Sequence, residues 1–286
     1  MLRRGTVIEG RGSQPHAHER FAAAEDAAAH TFAADLDDTV EISGADGHHL
    51  QRVRRLRTGE HVTVADGLGT WRRYEIEDAE AGRLLLGARS ERFEEPEPVP
   101  RVALALALTK AGALDTVVTR CTEVGVARIT PIRTRRCVVR WDAAQADRAV
   151  ARLRTTAREA AAQSRRARLP EIGAVAELAW FTEPGRSPGL GRVVVADHAG
   201  APVRALLSEY LTVDRSDEAA RKEFLNSEIT VVVGPEGGFD PAELATMEHL
   251  PHIGLGPYIL RSETAPIVAV ALLLDMAREL CREWQM

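Results

Sequence analysis

The stretch VVVGPEGGFDPAEL, residues 231–244, runs from β-branched strand formers into a proline, an acidic residue, two adjacent glycines and a helix start. Gly234, Gly237 and Gly238 are placed to take positive φ or to let a ligand approach the backbone closely. Asp240, Pro241 and Glu243 have the spacing of a capping box with proline at the first helical position. A plain strand-to-helix turn accounts for one or two glycines, but not for Glu236 held between Pro235 and Gly237 at a strand end. The loop has neither the GxxxxGK[ST] of a P-loop nor the GxGxxG of a dinucleotide fold, so it is no familiar phosphate cradle.

Around this loop, apolar runs alternate with helical patterns. Strands are predicted at 102–108, 127–132, 192–197 and 228–234, and helices at about 113–124, 143–163 and 201–210, after Asp240 and from Thr264. That order predicts an α/β domain over 102–286 with a mainly parallel sheet. Ligands of such sheets sit outside the carboxyl ends of the strands. There, beside GPEGGFD, stands LGPYILRSETAPIVAVALLL at 255–274. Its apolar shelf of Leu255, Tyr258, Ile259 and Leu260 bends through Gly256 and Pro257 and delivers Arg261, Ser262, Glu263 and Thr264 to a helix start, with Ser262 or Thr264 as the cap. Two such loops in one domain predict a shared pocket, whose apolar shelf and exposed main-chain amides suit a planar base.

Upstream the texture changes. TVEISG, EHVTVADG, WRRYEIEDAE and GRLLLGARS predict a small β domain over 30–92, with a hairpin at ADGLGTW, residues 65–71. Within it GHHLQRVRRLRTGE places Leu50, Val53 and Leu56 at helical spacing and leaves Arg52, Arg54, Arg55 and Arg57 on other faces. The segment 93–101, rich in proline and acid, predicts a stiff linker, and residues 1–29 a flexible extension. The polar stretch 212–227 predicts an inserted loop or helix.

A length of 286 residues with 45% hydrophobic content suits two soluble globular domains. The chain start has no apolar segment behind its basic residues, and the apolar run 265–274 is too short to span a bilayer, so neither a secretory signal nor a membrane role is expected. Cys121, Cys137 and Cys281 form no CxxC unit, and the pairs His16 with His18 and His48 with His49 have no further ligands beside them. No metal and a reducing cytoplasm are expected. GRSPG at 185–189 matches GxSxG formally, but Ser187 precedes a strand instead of following one, which argues against a serine hydrolase. Net charge is −5, yet residues 128–168 hold twelve arginines against Asp142, Asp147 and Glu159. That stripe is either a phosphate-binding footprint or an arginine-rich solvated face.

VVVGPEGGFDPAEL with LGPYILRSETA, preceded by TKAGALDTVVTRCTEVGVARITPI at 109–132, resembles the bacterial 16S rRNA uracil-N3 methyltransferases of the RsmE type, in the SPOUT superfamily. GHHLQRVRRLRTGEHVTVADGLG at 47–69 is similar to that family's PUA-like RNA-binding barrel. AREAAAQSRRARLPEI departs from the family's EQSGR region, with Ala161 or Ala162 where an acid is common and Arg165 where glycine is common. The resemblance implies a trefoil-knotted methyltransferase domain, a cytoplasmic homodimer and S-adenosyl-L-methionine in the knot. It also implies the methylation of one uridine in the decoding region of the small ribosomal subunit. The implied cofactor residues are Ala196, Asp197, Gly234, Glu236, Gly237, Gly238, Leu255, Gly256, Ile259, Leu260, Ser262 and Thr264. The reacting groups are Glu236, Arg261 and Glu263, with Glu236 preferred as base and Glu263 competing for that role. RNA contacts are expected from Arg52, Arg54, Arg55 and Arg57 and from Lys110, Arg120, Arg133, Arg135 and Arg136. Two alternatives stay open: a related methyltransferase acting on another RNA or a small substrate, and a non-catalytic RNA-binding ribosome factor.

Overall fold

The computed structural model describes residues 27–80, 82–97, 99–183, 191–206, 218, 219, 222 and 226–285. Residues 1–26 of the expected extension, the GRSPG segment and most of 212–227 lie outside the described residues. The chain divides into two compact units between Glu94 and Glu95.

The first unit contains β1 (Ala29–Phe32), β2 (Thr39–Ile42), the short helix α1 (Gly44–His48), a π-turn (His49–Val53), β3 (His61–Ala65), β4 (Thr70–Glu80) and β5 (Arg83–Glu94). Its sheet has the order β1-β3-β4-β5-β2, with β1 parallel to β3 and the other pairs antiparallel. Val62, Val64, Tyr74, Ile76, Leu84 and Leu86 sit at every second position of their strands and are fully buried, so that one face of the short sheet closes a core. The turn at 65–71 forms because one Asp66 carboxylate oxygen accepts the amides of Leu68, Gly69 and Thr70 at 2.7, 3.0 and 3.0 Å.

Two expectations for this unit need correction. Ala27 and Ala29 are buried, and Ala29 opens a strand, so the ordered unit begins before residue 30. Val53 does not share the apolar face of Leu50 and Leu56; it is 66% exposed. The cause is the π-turn at 49–53, whose wider winding rotates a residue three positions on away from the face a regular α-helix would give it.

The second unit contains β6 (Arg101–Ala107), α2 (Ala111–Val124), β7 (Arg128–Arg133), α3 (Ala143–Gln163), β8 (Glu171–Ile172), β9 (Ala176–Glu177), α4 (Ala179–Thr182), β10 (Arg192–Pro202), β11 (Glu228–Val233), α5 (Pro241–Met247), β12 (His252–Gly254) and α6 (Thr264–Gln285). The strand order is β12-β10-β11-β6-β7-β8, with β9 also on β7, and every pairing among the described residues is parallel. The continuous apolar runs of β6 and β11 are buried almost throughout, as strands covered on both faces must be. Helix α6 packs on α2, β6 and β11, and α2 packs on α3. No helix among the described residues is long and apolar enough to cross a membrane.

The helix expected at 201–210 is displaced, because β10 continues to Pro202 and only 203–206 of that stretch is described as helical. Ala196 and Ala201 both pair with Ile253, so residues 197–200 bulge out of the ladder between β10 and β12. That bulge matters for the site below.

Candidate functional site

A cavity of about 350 Å³ opens over the carboxyl ends of β10, β11 and β12. Three loops build it. In the first, the Gly238 amide donates to the Pro235 carbonyl at 2.8 Å and Gly238 takes φ 67°, which turns the chain back toward α5. Gly234 is needed for space instead: a Cβ there would stand 3.0 Å from the Phe239 ring, which folds back into the core. Gly238 alone of the three glycines has positive φ; Gly237 instead offers its carbonyl to Arg136 at 2.9 Å.

The predicted capping box is present. Asp240 accepts the Ala242 amide at 3.0 Å, and Glu243 Oε2 accepts the Asp240 amide at 2.9 Å. Glu243 also takes the amide of Arg135 on its other oxygen at 2.7 Å, which no local pattern announces. Arg135 adds an ion pair to Asp240 at 3.4 Å. The loop after β7 is therefore clamped to the loop after β11. Glu243 is buried, and its removal leaves two main-chain donors without their acceptor. Glu243→Ala should cost about 1–3 kcal/mol in urea unfolding. Glu243→Gln, which keeps one acceptor oxygen, should fall between, and equal stability of all three proteins would refute the clamp.

The second loop turns at Gly256, whose φ of 139° excludes ordinary side chains and whose missing Cβ would meet nothing within 4 Å. Beyond it Tyr258 and Ile259 are 79% and 90% exposed although they line the cavity. Ser262 Oγ donates to Glu236 Oε1 at 3.2 Å and lies 3.3 Å from Glu263 Oε2, so its single proton serves one carboxylate at a time. Arg261 reaches Glu263 at 3.8 Å and is otherwise open to solvent. Ser262 thus links two carboxylates and does not cap α6, which opens with the amides of Thr264 and Ala265 donating to the Arg261 carbonyl at 2.9 Å.

The bulge of β10 supplies the third wall, with Ala196, Asp197 and His198. The Asp197 carboxyl is held below its usual range, first by the Ala199 amide at 3.1 Å and then by His252, whose Nδ1 lies 3.0 Å away. The other ring nitrogen of His252 is 3.1 Å from the Met247 carbonyl. The stability Asp197 contributes is therefore present above the ordinary carboxylate range and lost as pH falls through its lowered value.

Eleven of the fourteen residues named for the cofactor or the reaction line this cavity: Ala196, Asp197, Gly234, Glu236, Gly238, Leu255, Gly256, Ile259, Leu260, Arg261 and Ser262. Gly237, Glu263 and Thr264 are not among its lining residues. The sequence reading missed Phe239, Leu244 and His198; the first two belong to the quoted motif, whereas His198 enters only through the bulge.

The arginines behave differently. Arg52, Arg54, Arg55 and Arg57 are exposed on the first unit, with Arg55 at φ 58°. On the second unit Lys110 is exposed at the N-cap of α2, and Arg120 holds Glu123 through two contacts of 2.9 and 2.8 Å. Arg133 reaches Glu177 and the Trp141 carbonyl, each at 3.3 Å. Much of the basic stripe is tied into the fold in this way. Arg128 pairs with Glu228, Arg152 with Asp115, and Arg154 and Arg166 donate to main-chain carbonyls. Arg165 stands at φ 57°, the left-handed conformation that suits a glycine.

Among the described residues no group of three or more His, Cys, Asp or Glu side chains could hold a metal ion. The family model of an RNA methyltransferase domain matches residues 95–274, and that of an RNA methyltransferase PUA domain matches residues 42–87. The chain is 35% identical over 232 residues to ribosomal RNA small subunit methyltransferase E of Mycobacterium tuberculosis, covering 80% of this chain and 83% of that one. It is 32% identical over 239 residues to the Synechocystis protein of the same name, covering 82% and 73%. Its fold is also that of a ribosomal RNA small subunit methyltransferase E from Neisseria gonorrhoeae, solved bound to S-adenosyl methionine. The TM-score is 0.71 at 22% identity, over 87% of this chain and 97% of that one. A PUA-type unit, a parallel sheet with its cavity at the carboxyl ends, and these identities place the chain in the RNA methyltransferase family that includes ribosomal RNA small subunit methyltransferase E.

Proposed function

We propose that this protein transfers a methyl group from S-adenosyl-L-methionine to N3 of one uridine in the decoding region of 16S rRNA. The observation that carries the reading is an apolar cavity whose mouth holds Glu236, Ser262 and Arg261 together. The names of the relatives and the donor bound in the gonococcal structure point the same way. The cavity suits the donor: Ala196, Leu255 and Leu260 offer apolar walls, two glycine-bearing loops expose main-chain groups, and the space beside Gly256 is open. Glu263, through Ser262 and Arg261, and Thr264, through the Arg261 carbonyl, hold the shape of the second loop.

When bound, the donor supplies an electrophilic methyl carbon. Uracil N3 carries a proton at neutral pH, so the chain must remove it as the N–C bond forms. Glu236 at the cavity mouth accepts that proton, with the Ser262 hydroxyl holding its carboxylate in place. Arg261, 85% exposed, is free to face the uracil oxygens and steady the charge that develops on them. Orientation of the two reactants supplies much of the remaining acceleration.

The reading extends to a trefoil-knotted sheet and a cytoplasmic homodimer, in which a second copy covers the exposed Tyr258 and Ile259. The arginines of the π-turn region, with Lys110 and Arg120, hold RNA phosphates. On that account RNA affinity falls with salt, and each of Arg52, Arg54, Arg55 and Arg57 changed to alanine lowers the logarithmic salt slope by about 0.7.

The deciding experiment incubates the full chain with labelled S-adenosyl-L-methionine and either small subunits or free 16S rRNA, followed by mass spectrometry of the nucleosides. N3-methyluridine is expected. Label in another nucleoside or a small molecule supports the related methyltransferase, and donor binding with no transfer supports the non-catalytic ribosome factor.

A further inference from the structure

A second and larger cavity, of about 670 Å³, lies across the 234–243 loop from the first and on the same carboxyl edge of the sheet. It opens over the ends of β7 and β9. Its walls include Arg133, Glu177, Leu178, Trp141, Arg140 and Glu243. We infer that this cavity receives the base of a single-stranded ribonucleotide adjoining the methylated one, stacked on Trp141, with its phosphate at Arg140. The inference rests on the proposed rRNA methylation.

Position argues first. In the sheet β6 alone separates β7 from β11, so the strand ends under the two cavities are two spacings apart, about 10 Å. One or two nucleotides span that distance. A base delivered to Glu236 therefore has a neighbour within reach of Trp141.

Chemistry argues second. Recognition of unpaired RNA needs an aromatic or guanidinium face for the base, donors and acceptors for its edge, and a cation for the phosphate. Trp141 is only partly buried and packs against the core, so its ring is held rather than free to collapse. Arg133 is fixed from two sides, by Glu177 and by the Trp141 carbonyl, which presents a donor and an acceptor side by side. Because Arg133 and Arg135 are paired with Glu177 and Asp240, neither brings an unbalanced positive charge to the cavity, which suits a base better than a phosphate. Arg140 is exposed at the rim and has no ion-pair or hydrogen-bond partner among the described residues, so it is the cation left for the phosphate.

The two cavities are also joined mechanically. Glu243 lines the second cavity and holds the Arg135 and Asp240 amides, while Arg136 holds the Gly237 carbonyl next to Glu236. A nucleotide seated in the second cavity presses on the loop that carries the proposed base.

The test measures binding of a fluorescein-labelled uridine hexamer to the full chain by fluorescence anisotropy, with S-adenosyl-L-methionine saturating. Trp141→Ala should weaken binding about tenfold, the scale of one lost stacked base, and Trp141→Phe should recover most of it. Arg140→Ala should lower the logarithmic salt slope by about 0.7. Donor affinity by calorimetry should be unchanged in all three. Parent-like hexamer binding by a folded Trp141→Ala protein overturns the inference, as does a change of sedimenting mass in that variant, which would mean that a second copy covers the cavity. Should Trp141→Ala fail to fold, an unchanged salt slope in Arg140→Ala overturns it instead. Absence of rRNA methylation by the parent protein with Trp141-dependent hexamer binding intact would remove the functional reading and leave this site standing.

Discussion

Glu236→Gln is expected to keep the fold and most of the donor affinity and to lower single-turnover methyl transfer by at least about a hundredfold. Glu236 is exposed in the turn closed by the Gly238 amide on the Pro235 carbonyl, so no core contact depends on its charge. Glutamine keeps the size and one oxygen for the Ser262 hydroxyl, but it cannot accept the N3 proton. Glu263 makes the control. It pairs with Arg261 at 3.8 Å and is not among the cavity's lining residues, so Glu263→Gln should act mainly by loosening Arg261 and cost much less. A native rate in Glu236→Gln with no transfer in Glu263→Gln would reverse the two roles.

The second large effect concerns stability. Glu228 opens β11 and is 4% exposed, beside Arg101 at the start of β6 and Arg128 at the start of β7. It pairs with Arg128, reaches Arg101 at 3.5 Å and accepts the Thr230 hydroxyl at 3.4 Å. Glu228→Leu keeps the volume but leaves Arg128, three-quarters buried, without its counter-charge. The expected loss is about 3 kcal/mol, the lower end for a broken buried pair because Arg101 remains half exposed. Changing Arg128 to leucine as well should recover most of that loss, since no unpaired charge is then left inside. Urea unfolding of the parent and the two variants checks this, and a single variant within about 0.5 kcal/mol of the parent would show that the pair is solvated. Methyl transfer below the unfolding midpoint should be unaffected, because this cluster sits at the amino edge of the sheet, opposite the site.

The arginine stripe shows how far composition reaches. Twelve arginines between 128 and 168 read equally well as a phosphate footprint or a solvated face. In the fold several of them are neither. Arg128, Arg152, Arg154 and Arg166 tie strands and helices together, while Arg140 stays at the rim of a cavity. The partners are a carboxylate such as Glu228 or a carbonyl such as that of Ile172, and nothing in the count of charges says which arginine meets which.

What the sequence determined by itself was local. The capping box at Asp240 and Glu243, the Asp66 turn, the buried β-branched strands and the helix at 143–163 each rest on residues within a few positions of one another, where backbone geometry and hydrogen-bonding reach decide the outcome. Even the two loops that line the first cavity were legible, since each carries its own glycines and helix start. What only the tertiary structure decided were contacts between distant segments. The Glu243 clamp on Arg135 spans 108 positions, and the Asp197 contact with His252 spans 55. The first depends on β11 and β7 flanking β6, and the second on β12 lying beside β10 with residues 197–200 pushed out of register. Strand order and bulges are set by how whole layers bury their faces against one another, and a local pattern of residues carries no record of which neighbour that burial selects.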